Sequence, residues 1–249
     1  MRDNYLNVLK REGIVVIENF LTKSKCDDII GQIEDFSIKE KVIREKDEGL
    51  GGDIRIFGFE KFSDEVLEFS KNKVLKKMVS DYSNLNLETK STLAGKVVYE
   101  NHKQTNSGGD WHRDSDIKEL KAMLYLSDVN SKNGPFCFIK GSKDFDFKRR
   151  NKKYSFLRKI IYVLRGLPSK PPRYKNDLIM KNPEAVKKII KVTGNAGTLV
   201  VFDGSYVHRG DVIKSGVRYS ITNYYSPILK KGIVSSIKKI IKKYLLKQV

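Results

Sequence analysis

Apolar positions recur along this chain with two different periods, and the period changes near residue 94. In the first part, residues 1–12 read as a short helix leading into Gly13-Ile14-Val15-Val16-Ile17, an apolar run of strand length. Cys26, Ile29, Ile30 and Ile33 then recur at helical spacing and predict a helix from Thr22 to about Ser37, capped by Thr22 or Ser24. A polar stretch with glycines from Lys39 to Gly52 reads as a loop. After Arg55-Ile56-Phe57-Gly58, the segment Phe62 to Asn84 predicts one helix, with Val66, Phe69, Val74, Leu75 and Met78 along one side.

Strand patterns dominate from there on. Gly95 to Asn101, Leu120 to Ser127, Gly197 to Phe202 and Gly216 to Tyr224 are short and apolar or alternating, divided by turn residues. This predicts a mainly β fold with flanking helices, a barrel or sandwich core of the jelly-roll kind, which can enclose a ligand between its sheets. Residues 1–230 read as one domain. Within it, 143–193 reads as an insertion or lid that a minimal jelly roll does not need, carrying the basic cluster Lys148-Arg149-Arg150-Asn151-Lys152-Lys153. Residues 231–249 read as a basic amphipathic helix. Ile233, Ile237, Ile240, Ile241, Tyr244 and Leu245 share one side, with lysines on the other.

Charge adds a constraint on partners. With 49 basic and 30 acidic residues the net charge is +19. Such a chain suits nucleic acid, anionic lipid, or a phosphorylated, CoA-linked or nucleotide-linked small molecule. No zinc-finger, helix-turn-helix or RNP-like pattern occurs, which disfavours nucleic acid. The tail helix either packs on the domain or makes a peripheral contact through 233–249 with the inner face of a membrane. The 249 residues suffice for one catalytic domain. Cys26 and Cys137 are too few for a disulfide framework, and no apolar run resembles a membrane span or signal peptide. A cytoplasmic protein is therefore expected. No pattern specifies an oligomeric state.

The candidate chemistry sits in two distant segments. His112 and Asp114, two residues apart in Gly109-Asp110-Trp111-His112-Arg113-Asp114, would share one face of an extended strand. His208 follows the apolar run Gly197 to Phe202 and the turn Asp203-Gly204-Ser205-Tyr206. Two histidines and one carboxylate suit non-haem Fe(II), with positions left for a co-substrate and O2. Arg218, Ser220, Thr222 and Tyr224 share another strand face, where a guanidinium fork and a hydroxyl could hold a carboxylate.

These residues resemble the phytanoyl-CoA dioxygenase family of Fe(II)/2-oxoglutarate oxygenases, whose pattern is His-x-Asp, a distal His and then an Arg. The likeness extends to Asn133-Gly134-Pro135 with Gly141-Ser142-Lys143, to Gly194-Asn195-Ala196-Gly197 running into Phe202-Asp203-Gly204, and to the opening Leu9 to Leu21. Lys140 stands where the family often has proline, and Asp144 where histidine is common. The resemblance implies a double-stranded β-helix (jelly roll, cupin-like) core. It implies a dioxygenase in which His112, Asp114 and His208 hold Fe(II), Arg218 with Ser220 fixes the far carboxylate of 2-oxoglutarate, and Tyr125 lines that pocket. The implied reaction consumes O2, releases succinate and CO2, and hydroxylates a C–H of a small substrate. The charge, the insertion and the tail point to one that is anionic or lipid- or nucleotide-linked, with Arg55, Lys61 and the basic cluster Lys148 to Lys153 as candidate contacts. A carboxylate at position 114 argues against a halogenase. Two other classes stay open: a cupin-type metal-dependent isomerase or epimerase, and a non-catalytic protein that binds a membrane or an acidic partner.

Overall fold

The computed structural model describes residues 2–40, 53–99, 110–115, 118–145 and 173–228. The helix expected over 231–249, the basic cluster Lys148 to Lys153 and most of the loop expected over 39–52 lie outside them. Among the described residues, no helix is long and apolar enough to cross a membrane.

Four helices precede most of the strands. Helix α1 (Arg2–Glu12) leads into strand β1 (Ile14–Ile17), and α2 (Lys23–Lys39) starts where Thr22 accepts a hydrogen bond from the Lys25 amide. The single helix expected over Phe62 to Asn84 is instead two, α3 (Asp64–Ser70) and α4 (Lys73–Ser83). The break has a local cause. Asn72 leaves helical backbone geometry, and its side chain accepts from the Val74 and Leu75 amides at 3.0 Å each, a capping bond that outcompetes continuation.

Two antiparallel sheets make the body. The first contains β1, β2 (Asp53–Phe57), β3 (Leu87–Val98), β5 (Leu120–Tyr125), β9 (Leu199–Asp203) and β11 (Val217–Pro227), in the order β1-β9-β5-β11-β3-β2. The second contains β4 (Trp111–His112), β6 (Phe136–Ile139), β7 (Arg173–Tyr174), β8 (Ile189–Val192) and β10 (His208–Gly210), in the order β7-β4-β10-β6-β8. This is the jelly-roll class expected from the strand pattern. One expectation needs correction: β7 and β8 belong to the second sheet, so residues 173–192 of the presumed insertion are part of the core. Two short helices between them, α5 (Asn176–Met180) and α6 (Pro183–Lys187), cover that sheet's outer face.

Alternation decides which residues meet. On β5, Leu120, Ala122 and Leu124 pack outward against α2, α3 and α4, while Met123 and Tyr125 point inward against Phe136 and Phe138 of the opposite sheet. Strand β9 divides likewise, Leu199 and Val201 outward and Val200 and Phe202 inward. The Tyr125 hydroxyl crosses the gap, donating to the Val192 carbonyl at 2.9 Å and accepting from the Phe136 amide at 3.0 Å.

Gly197 anchors the sheet to the entry of α2. Its carbonyl accepts from the Phe20 amide at 2.9 Å, its φ is +88°, and a Cβ there would lie 2.0 Å from the Leu21 carbonyl oxygen. Gly197→Ala should therefore lower unfolding free energy by at least about 2 kcal/mol. Gly31→Ala, in the exposed interior of α2 where a Cβ meets nothing within 4 Å, should raise it by about 0.5–1 kcal/mol. Urea midpoints of the two variants check this. Equal midpoints would contradict it.

Candidate metal centre

A single cross-strand pair sets the two histidines side by side. His208 on β10 lies opposite His112 on β4, and the row continues through Phe138 on β6 to Ile190 on β8. Partners in register project to the same face. Both imidazoles thus enter the space between the sheets, with ring centroids 4.5 Å apart. Trp111, one residue earlier, points the other way and packs with Tyr174 and Ile179.

Asp114 arrives differently from the sequence expectation. Strand β4 ends at His112, and Asp114 sits in the bend beyond it rather than two places along an extended strand. What returns its carboxylate to the histidines is the turn after β9. The Asp114 amide donates to the Gly204 carbonyl at 2.8 Å, and the Gly204 amide donates to the Glu119 carbonyl at 2.7 Å. A Cβ at Gly204 would stand 2.3 Å from Asp114 Oδ2, so only glycine lets the carboxylate come this close. His112, Asp114 and His208 each offer a ligand atom, all within 4.8 Å of one another, and could hold a metal ion.

Hydrogen bonds fix which nitrogen faces inward. His112 Nδ1 is 3.0 Å from the Asp110 carbonyl, and His208 Nδ1 is 2.9 Å from the Tyr206 carbonyl. A carbonyl only accepts, so a neutral ring carries its proton on Nδ1 and presents a lone pair at Nε2. Burial, followed by the nearby His208, pushes His112 down to about 3. Burial alone would raise the Asp114 carboxyl, but His208 and Lys121 hold it well below the usual carboxylate range. The donor set therefore combines an ionised carboxylate, a buried neutral ring at His112 and the inward Nε2 of His208, the kinds of donor that bind divalent cations. Phe136 and Phe202 flank His208 at centroid distances of 5.5 and 5.2 Å and give the site an apolar wall.

A second polar group lies on the facing sheet. Strand β11 turns Arg218, Ser220, Thr222 and Tyr224 inward and packs Ile221 and Tyr225 outward, as the alternation predicts. Arg218 is 7% exposed, and its Nε has no hydrogen-bond partner. Burial lowers its pKa, although a guanidinium stays charged at any pH the fold tolerates. Gly134, with φ +78°, lets the loop pass close: a Cβ there would be 3.5 Å from Arg218 Nη1. Ser220 stands opposite Tyr125 on one side and Gly95 on the other, and Arg55 continues the same row. Arg55 is 3.8 Å from Asp53. Lys61 lies in an exposed turn after β2, and no described contact connects it with the metal residues.

Three contributors escaped the sequence reading. Asp203, fully buried, organises the turn that carries Gly204. Gly204 was visible within a motif but had no assigned role. Lys121 points inward with Nζ 2.8 Å from Asp114 Oδ2 and 4.5 Å from the centre of the Tyr224 ring. Its signal was a lone cation in the otherwise apolar run Leu120 to Tyr125, a residue type that is seldom buried without a partner. The cysteines are spectators. Burial pushes Cys26 up to about 11 and Cys137 up to about 12, which removes thiolate chemistry.

A family model described as phytanoyl-CoA dioxygenase matches residues 9–218. A search of curated proteins gives no match. Similar solved structures include the epimerase SnoN in complex with Fe3+, alpha ketoglutarate and nogalamycin RO (TM-score 0.68, 13% identity, 91% of this chain and 83% of that one). HygX from Streptomyces hygroscopicus with nickel and 2-oxoglutarate bound is another (TM-score 0.58, 16% identity, 91% and 87%). The carbocyclase SnoK from nogalamycin biosynthesis is a third (TM-score 0.59, 16% identity, 94% and 89%). At these identities the likeness is one of fold.

The depressed His112 yields a pH prediction for the metal-free protein. Folded, the ring stays neutral down to about 3, whereas the unfolded chain takes the proton near the ordinary imidazole value of 6.5. The unfolded state thus binds more protons between those limits, and stability rises with pH across them and is flat in this contribution above. His112→Gln should flatten the slope of unfolding free energy between pH 4 and 6, as measured by urea denaturation. An unchanged slope would contradict the burial of a neutral ring.

Proposed function

Because this chain belongs to the phytanoyl-CoA dioxygenase family, we propose that it is an iron(II)- and 2-oxoglutarate-dependent oxygenase that hydroxylates a C–H bond of a small molecule. One observation carries the reading: a cluster of two imidazoles and a carboxylate opens onto the same inter-sheet space as a buried arginine. Three ligands on one side leave positions for two further groups. In this reading His112 and His208 bind through Nε2 and Asp114 through its carboxylate.

Iron and 2-oxoglutarate together supply the oxidising power: the 2-oxo acid leaves as succinate and CO2, one atom of O2 ends in succinate, and the other ends at the substrate carbon. The protein's own part is placement and exclusion. Arg218 has donors left to hold the far carboxylate of the co-substrate, and the Ser220 hydroxyl adds to the same oxygens. Tyr125, whose hydroxyl is taken up by the backbone of the opposite sheet, lines the pocket in this reading with its ring rather than with a polar contact. Phe136 and Phe202 keep water from the side of His208. Arg55 shares a row with Ser220, which supports a contact at the co-substrate end, while Lys61 is exposed and gains no such support. The net charge of +19 favours an anionic or a lipid- or nucleotide-linked substrate.

A second outcome has specific support. SnoN is an epimerase and SnoK a carbocyclase, both alpha ketoglutarate-dependent and both of this fold. Stereochemical inversion or ring closure instead of hydroxylation is therefore the runner-up, and product mass distinguishes them, since only hydroxylation adds one oxygen atom.

Two variants test the assignment. Arg218→Met should weaken 2-oxoglutarate binding about 100-fold, the loss of about 3 kcal/mol of charge-assisted hydrogen bonding, and leave metal binding intact. Asp114→Ala should abolish stoichiometric metal binding. Anaerobic titration with Fe(II) and 2-oxoglutarate, followed by the metal-to-ligand absorption band and by succinate release in air, reads both. Full 2-oxoglutarate affinity in the Arg218 variant would overturn the role given to that residue.

A further inference from the structure

Lys121 is the one buried cation in direct contact with the metal cluster among the described residues, and the function above makes no use of it. Its position is built. Strand β5 turns it inward with Met123 and Tyr125, opposite Tyr224 on β11 and Phe202 on β9. The side chain is 7% exposed, its ammonium lies over the Tyr224 ring, and its Nζ is 2.8 Å from Asp114 Oδ2. That oxygen also lies 3.1 Å from His208 Nε2, with Gly204 beneath it. Any cation held by Asp114 therefore sits one carboxylate away from a second positive charge. Glu119, the other acid near this group, is half-buried and bears on Lys121 only weakly beside Asp114.

We propose that Lys121 is a counter-cation that couples metal loading to co-substrate loading. Without metal, its ammonium compensates the buried Asp114 carboxylate, so the cluster folds without an uncompensated charge. When a divalent ion takes that carboxylate, ion and ammonium repel each other within a site of low effective dielectric. Metal alone then binds weakly. A 2-oxo diacid brings two negative charges to the same space, relieves this repulsion and offers an acceptor to the unpaired Nε of Arg218. Each ligand thus strengthens the other, and by linkage the two enhancements are equal. Lys121 is a positioning residue in this account, acting through Asp114.

The inference rests on the function proposed above, and its test separates the two. Ni(II), which binds without turnover, is titrated into the metal-free protein with and without 2-oxoglutarate, with quenching of the single tryptophan, Trp111, as the signal. The wild type should bind Ni(II) at least about tenfold more tightly when 2-oxoglutarate is present, a typical size for coupling between sites. Lys121→Met keeps the length of the side chain and removes the charge. It should bind Ni(II) alone at least about tenfold more tightly than wild type, since relieved like-charge repulsion exceeds the loss of a supporting contact. Its enhancement by 2-oxoglutarate should shrink. Lys121→Arg, which keeps the charge, should behave as wild type.

Unchanged or weaker Ni(II) binding by Lys121→Met, in a variant whose melting temperature shows it folded, would overturn the coupling role. So would Lys121→Arg behaving like Lys121→Met. A wild type that binds no Ni(II) even with 2-oxoglutarate would instead overturn the oxygenase reading, and this inference with it.

Discussion

A carboxylate with no access to water has to be matched donor for donor, and Asp203 is such a group. Its Oδ2 accepts from the Tyr82 hydroxyl at 2.8 Å and from Lys143 Nζ at 2.9 Å. Its Oδ1 accepts from the Ser205 amide and hydroxyl and from the Glu119 amide. Those donors come from helix α4, from the loop after β6, from the turn that leads to His208, and from the segment that follows Asp114. One buried charge thus gathers the segments on which both halves of the metal cluster depend. Burial opposes its ionisation, yet the Ser205 and Lys143 bonds hold its pKa below the ordinary value. Loss of Lys143 would leave the charge uncompensated, and loss of any other donor would leave a buried acceptor short of a hydrogen bond.

The same economy runs through the inter-sheet space. Several inward polar residues have partners: Tyr125 with the opposite backbone, Lys121 with Asp114, His112 and His208 with carbonyls of their own turns. Arg218 is different, because its Nε is buried without a partner. In an interior where unpaired donors are rare, an orphan on a guanidinium is a place for something to bind. The surrounding faces are apolar, so what binds there is dehydrated and its charges are felt strongly.

Much of this was legible in the chain because polar residues in apolar strands are conspicuous. His112 and Asp114 stand out as an His-x-Asp pair, His208 lies shortly after the apolar run Gly197 to Phe202, and strand alternation turned Arg218 and Ser220 to the same side. Less legible were features decided by distant pairing. Asp114 was expected on a strand, but β4 finds only a short partner in β10 and stops at His112, leaving the Gly204 turn to place the carboxylate. Residues 173–192 look like an excursion in sequence, and only their register against β4 and β6 makes them core. The split between α3 and α4 was local and readable, since Asn72 is a strong capping residue, but the continuous apolar side masked it. Lys121 was visible as an oddity, and its partner was not, because no periodicity links positions 114 and 121.

The central claim is that a single glycine turn closes the two halves of the cluster around one cation. The most direct measurement is Mn(II) binding to Gly204→Ala, followed by electron paramagnetic resonance of the free ion, with the unfolding midpoint recorded in parallel. A methyl at that position displaces the Asp114 carboxylate, so the variant should stay folded and lose stoichiometric Mn(II) binding that the wild type retains. A folded Gly204→Ala protein that binds Mn(II) as the wild type does would contradict the account.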